Sequence, residues 1–187
     1  MPALFLALLT SAVAMLGARS TRLTARMAEA LGGSGGLLFV GWLGAIAASA
    51  LAAWAGALLE PQMAPAAKAM FVALALALAA IELLVARDRP VPAEPTRSLG
   101  AIALVLFAGL LTDAARFFVL ALAVATGAPV LAAAGGALGS GAVLSAAWAM
   151  GGEWDLRLPL RAIRLGAGGL FGLAAIVVAL GARGLIG

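Results

Sequence analysis

The chain contains no cysteine and no histidine. The first absence excludes disulfides and thiolate chemistry. The second removes the side chain that titrates near neutrality and the commonest nitrogen ligand, so any metal would have to be held by oxygen. Charge is scarce too. Only 11% of residues are charged against 65% hydrophobic, far more apolar sequence than a soluble domain of 187 residues needs. No polar stretch exceeds roughly a dozen residues, too short to fold alone. No nucleophile stands with a base, no paired carboxylates share one site, and no cofactor fingerprint occurs, so neither an enzyme nor a cofactor is expected. "GGSGG" at 32–36 has no following lysine and no preceding strand, which excludes a phosphate loop. The net charge of +4 comes mostly from arginines in short loops, where such residues set membrane orientation, so nucleic acid is not an expected partner.

What is present is a series of apolar runs near membrane-spanning length. Six spans are expected, at 3–30, 36–59, 66–86, 99–125, 129–150 and 162–182. Gly, Pro or charge marks each connection. The loops after spans one, three and five carry Arg19, Arg22, Arg26, then Arg87, Arg89, Arg97, then Arg157, Arg161, Arg164. The positive-inside rule places that side in the cytoplasm and both termini outside, which is the periplasm if the host membrane is a bacterial inner membrane. Ala12-Val13-Ala14 has the form of a signal cleavage site. No basic residue precedes the apolar run, so the first span is expected to be retained.

The chain also repeats itself. "AAWA" at 52–55 recurs at 146–149, "LAAI" at 78–81 recurs at 173–176, and Gly32 matches Gly127. An odd number of spans in each half inverts the second half. The expected fold is therefore an all-α membrane protein, a single domain over 1–187, built from two inverted three-helix repeats at 1–90 and 98–187.

The repeat brings two polar stretches together. Met15 to Arg22 aligns with Leu110 to Phe117, the "LLTDAARF" in the middle of the fourth span. Asp113 and Arg116 are thereby placed at membrane depth, and Arg19 and Ser20 with them. Residues 3–18 as a helix span about 24 Å, short of an apolar core of about 30 Å, so the first span should continue past Arg19. The plainer alternatives are a positive-inside flank for Arg19, Arg22 and Arg26, and an intrahelical pair for Asp113 and Arg116. Other residues read simply. Glu82 near the end of span three could snorkel or meet Arg87 or Arg89. Glu60 and Lys68 should be solvated. Trp42, Trp54 and Trp154 fall near span ends, as interfacial anchors do, and Trp148 suits anchoring or packing. Gly32/Gly36, Gly135/Gly139 and Gly41 to Gly44 with Ala48 offer surfaces for close helix contact.

These features resemble the Golgi manganese/calcium–proton antiporter family and its bacterial relatives, in the lysine-exporter superfamily. Members have two inverted three-helix repeats, and the first helix of each carries Glu-x-Gly-Asp-(Lys/Arg)-(Ser/Thr). Here "MLGARS" keeps Gly17, Arg19 and Ser20, with Met15 and Ala18 in place of the acids. "LLTDAA" keeps Asp113 alone, with Leu110 and Thr112 in place of the Glu and Gly. The resemblance implies a secondary transporter of the inner membrane that exchanges Mn2+ or Ca2+ for protons, with Asp113 as the metal-binding carboxylate and Gly17, Arg19, Ser20, Thr112 and Arg116 around it. Its implied partners are the bilayer, a divalent cation and protons, with room for self-association.

The charge balance argues the other way. One midplane carboxylate faces two arginines, and unit charges 4 Å apart interact by about 4 kcal/mol at an effective dielectric of 20. A guanidinium, from Arg19 or Arg116, would then occupy the place of the cation. Two alternatives follow: an anion or zwitterion (amino-acid-like) transporter, or a non-transporting membrane protein with an arginine-plugged site.

Overall fold

The computed structural model describes residues 2–85, 98–157 and 159–185, with the side chains of 156 and 157 left aside. Arg87, Arg89 and Arg97 of the central loop lie outside the described residues. Every regular element among those described is helical. They are α1 (Pro2–Leu16), α2 (Arg19–Ala30), α3 (Gly35–Leu59), α4 (Pro65–Val85), α5 (Leu99–Thr112), α6 (Ala114–Thr126), α7 (Pro129–Met150), α8 (Glu153–Arg157) and α9 (Leu160–Ala182). A 3-10 turn, Glu60–Gln62, joins α3 to α4, with the Lys68 ammonium bonded to Glu60 across it. Those two side chains, expected to be solvated, are partly exposed and pair with one another.

Four helices, α3, α4, α7 and α9, are long and apolar enough to cross a membrane alone. The other apolar stretches are not single helices. α1 and α2 meet at a bend of 63°, and α5 and α6 at 56°; counting each bent pair as one gives six spans. The expected first and fourth spans are therefore each a pair of shorter helices meeting at a bend. The breaks are alike. Ala18 and Asp113, the residues that open α2 and α6, have φ/ψ of −69°/150° and −71°/147°. α2 starts at Arg19 and α6 at Ala114, and α4 starts at Pro65 and α9 at Leu160, each pair 95 positions apart. Gly32 and Gly127, which follow α2 and α6, both take left-handed φ, 65° and 61°. At Gly127 an added Cβ would meet only the Glu60 carboxylate, no nearer than 3.9 Å. Gly127→Ala is thus expected to cost about 1–2 kcal/mol, from the left-handed backbone alone. Unfolding in mixed micelles checks this, and unchanged stability would count against it.

Packing crosses between the halves. α1 lies on α7 and α5 on α3, while α4 pairs with α9. α6 sits at the centre, against α1, α3, α4 and α7. Beside Phe118 and Val119 it buries Ala114, Ala115, Ala121 and Ala123, small residues that let four neighbours approach. The Phe118 ring packs on Phe171 of α9 with centroids 4.5 Å apart. The outer surface is apolar: Phe5, Phe39, Trp54, Leu104, Leu170 and Leu173 are each more than half exposed. An exterior of this kind suits lipid rather than water.

The tryptophans divide. Trp54 is exposed, as an anchor would be, but Trp154 is 1% exposed and belongs to the main core. Its position after α7 had suggested anchoring. α8 instead folds its indole inward against the bundle. Trp42 and Trp148 donate their indole N–H to Ser145 Oγ and to the Ser34 carbonyl, both at 3.0 Å, so they join α3 to α7.

Candidate functional site

The two helix breaks meet. A break frees backbone groups that water would satisfy in solution, and within an apolar bundle the protein must supply partners. At the first break the Met15 carbonyl accepts from the Thr21 hydroxyl at 2.7 Å and from the Ala18 N–H at 3.1 Å. Gly17 lets the chain pass close to α9, since a Cβ there would lie 3.1 Å from Arg164 Cβ. The turn leaves Ser20, in the first turn of α2, facing the second break.

At the second break Asp113 is the N-cap of α6 and is 5% exposed. Its side chain does not cap its own helix. The carboxylate instead accepts a hydrogen bond from the Ser20 hydroxyl. This bond joins one break to the other. A third element contributes Glu82 of α4, whose carboxylate comes within electrostatic reach of Asp113 and of the Ala114 backbone at the start of α6. Its Oε2 is buried without a hydrogen bond. Two carboxylates thus converge on the start of α6, where the helix dipole and free N–H groups stabilise negative charge.

The arginines do not fill the space beside Asp113. Among the described residues no ion pair joins it to Arg19 or Arg116, though both act on it favourably at longer range. Arg19 is exposed at the start of α2. Arg116 is 4% exposed and turns away, donating to the Ala45 carbonyl at 3.2 Å and to the hydroxyls of Ser49 and Ser140. Arg22 and Arg26 lie further along α2 beside Asp155 of α8, with Arg26 at 2.9 Å. That pair is largely solvated and stabilises by under about 1 kcal/mol.

The expected residues therefore separate into groups. Ser20 and Asp113 touch, and Gly17 shapes the first break. Arg116 is near but engaged elsewhere. Thr112 does not join them: its hydroxyl bonds the Ala108 and Gly109 carbonyls of its own helix, at 3.2 and 3.0 Å. Met15 and Leu110, where the resembled family carries acids, are fully buried in the core. Glu82 is the residue that sequence reasoning passed over. Its closeness to the end of span three suggested snorkelling, whereas the packing of α4 on α6 turns it to the second break. An acid within an otherwise apolar helix was the available signal.

With two carboxylates and a hydroxyl, the arrangement offers oxygen ligands of the kind a hard cation takes, and groups able to carry protons. Comparison with known protein families, with characterised proteins and with solved structures finds no match for the chain.

Proposed function

We propose that the chain is a secondary transporter of the inner membrane, a diverged exchanger of a divalent cation such as Mn2+ or Ca2+ for protons. In this reading Asp113 and Glu82 are the ion-coupling carboxylates. The observation that carries it is the hydrogen bond from Ser20 to Asp113, which links two broken helices at their equivalent breaks. Discontinuous helices that meet across related halves are how secondary transporters build a site within the membrane. The matching breaks 95 positions apart, and the exchange of α1 and α5 between halves, support an inverted three-helix repeat. The arginine pattern then sets both termini outside.

Glu82 changes the charge balance. Two carboxylates, rather than one, stand against Arg116 and Arg19, and Arg116 is committed to neutral oxygens. A cation between Asp113 and Glu82 would relieve their repulsion, and protons would do so when the cation leaves. Binding of the two is thereby made exclusive, which is the requirement for exchange.

The test is flux. The purified chain is reconstituted in vesicles holding a pH-sensitive dye, and Mn2+ or Ca2+ is added outside. A metal-driven pH change is expected in the wild type. It should vanish in Asp113→Asn and fall at least tenfold in Glu82→Gln. A wild type that is folded and correctly inserted yet gives no pH change overturns the proposal and favours a non-transporting protein.

A further inference from the structure

Arg116 poses a separate problem. A guanidinium keeps its charge at any ordinary pH. Burying that charge is costly unless it is paired and hydrogen-bonded. Here three of its contacts are neutral oxygens, from Ala45, Ser49 and Ser140, and no carboxylate forms an ion pair with it among the described residues. Asp113 acts on it from a distance but gives its hydrogen bond to Ser20.

Two polar groups able to donate are left over. Arg116 Nε is buried and makes no hydrogen bond, and neither does the hydroxyl of Ser11, which is 0% exposed on α1. The Ser11 hydroxyl lies at the same point of α7 as the serine that holds the guanidinium, with a Val119 methyl beside them. A Cβ built on Gly136 would lie 3.3 Å from Ser49 Oγ and 3.6 Å from Ser11 Oγ. Ser140 stands one turn further along α7. Ser49 itself is spoken for, donating to the Ala45 carbonyl at 2.7 Å. The cluster is assembled from four helices, α1, α3, α6 and α7. It carries a buried positive charge with no ion-pair partner at bonding distance among the described residues, Asp113 acting on it only from further off, and two groups able to donate that have no acceptor. A second cation or a donor ligand would worsen both deficits, and an anion corrects both.

Size narrows the class. Ser11, Ser49 and Ser140 are each 0% exposed and Arg116 is 4% exposed, so the surroundings exclude an extended ligand. We propose that Arg116 and Ser11, with Ser49 and Ser140 beside them, hold a resident monovalent anion of halide size. Such an ion neutralises the guanidinium and accepts from Nε–H and the Ser11 hydroxyl. It is a fixed counter-ion rather than cargo, and the assignment does not rest on the transport reading. A cation at Asp113 and Glu82 would weaken the repulsion between those carboxylates and the anion, so the two ions should favour one another's binding.

The experiment is thermal unfolding of the purified full chain in detergent, with sodium chloride or bromide exchanged for sodium gluconate at constant ionic strength. The expected result is a melting temperature that rises and saturates with halide in the wild type. Ser11→Ala removes a donor that has no partner in the protein, so it should fold normally. It should shift half-saturation at least tenfold upward. Thr126→Ala, whose exposed hydroxyl serves only the end of α6, should respond as the wild type does. Anomalous scattering from bromide beside Arg116 in crystals would locate the ion directly. Equal melting in halide and gluconate overturns the proposal, and so does an unchanged half-saturation in Ser11→Ala.

Discussion

Gly139→Ala will destabilise the protein by more than about 3 kcal/mol, beyond the usual range for an overpacked core. The added Cβ would fall onto the Leu8 carbonyl oxygen and lie 3.1 Å from the Ala12 nitrogen. Gly135, one turn earlier, stands against α1 in the same way, on the Leu4 carbonyl and 2.9 Å from Ala7 Cβ. These obstacles are mostly backbone, so no side chain can swing aside and α1 must move as a whole. Movement of α1 would displace Ser11 from the Arg116 cluster and shift the first break away from Asp113. Gly166 and Gly169 on α9 supply the control. A Cβ there meets nothing, and Ala in place of a helical Gly should then be neutral or gain up to about 1 kcal/mol. Unfolding of the three variants in mixed micelles decides the matter. If Gly139→Ala unfolds with the wild type, α1 and α7 do not pack backbone to backbone.

The contrast shows what a sequence conveys about such a bundle. The apolar runs marked out the limits of the helical segments to within a few residues, because length and hydropathy are properties of a single segment. Gly135 and Gly139 were visible as a small-residue surface for the same reason. The breaks were not. Gly17 hints at the first, but nothing in Thr112-Asp113-Ala114 announces an extended residue inside an apolar run. That break has a further consequence. Asp113 and Arg116 have the spacing of an intrahelical ion pair, but the pairing rule holds only when both residues are helical. Asp113 is extended, so its carboxylate departs toward α2 while Arg116 follows α6 into the cluster between α3 and α7. Trp154 was misjudged because it was placed by its distance from a helix end, and the same measure gave no sign that Glu82 approaches the second break. Their surroundings depend on which helix lies opposite, and that is a tertiary fact.

Removing the hydroxyl of Ser20 should cost about 1.5–3 kcal/mol, the range for a hydrogen bond to a charged group. Ser20→Ala leaves the Asp113 carboxylate buried without its donor, and the freed charge finds no second hydroxyl: Thr112 bonds its own helix. The effect belongs to the pair rather than to the serine. In an Asp113→Ala background the hydroxyl keeps only its weak contact with the Met15 sulfur, at 4.0 Å, and the same substitution should cost under about 0.5 kcal/mol. A cycle of wild type, both single variants and the double variant therefore yields a coupling of at least about 1 kcal/mol between residues 93 positions apart, each at a helix break. Additive costs would mean that the breaks do not communicate through this bond, which would overturn an ion-coupling site between them. A large coupling would mean that whatever protonates or ligates Asp113 also acts on α2, and hence on the relative position of the two halves. That is the link by which ion binding at one carboxylate could be converted into movement of the first half against the second.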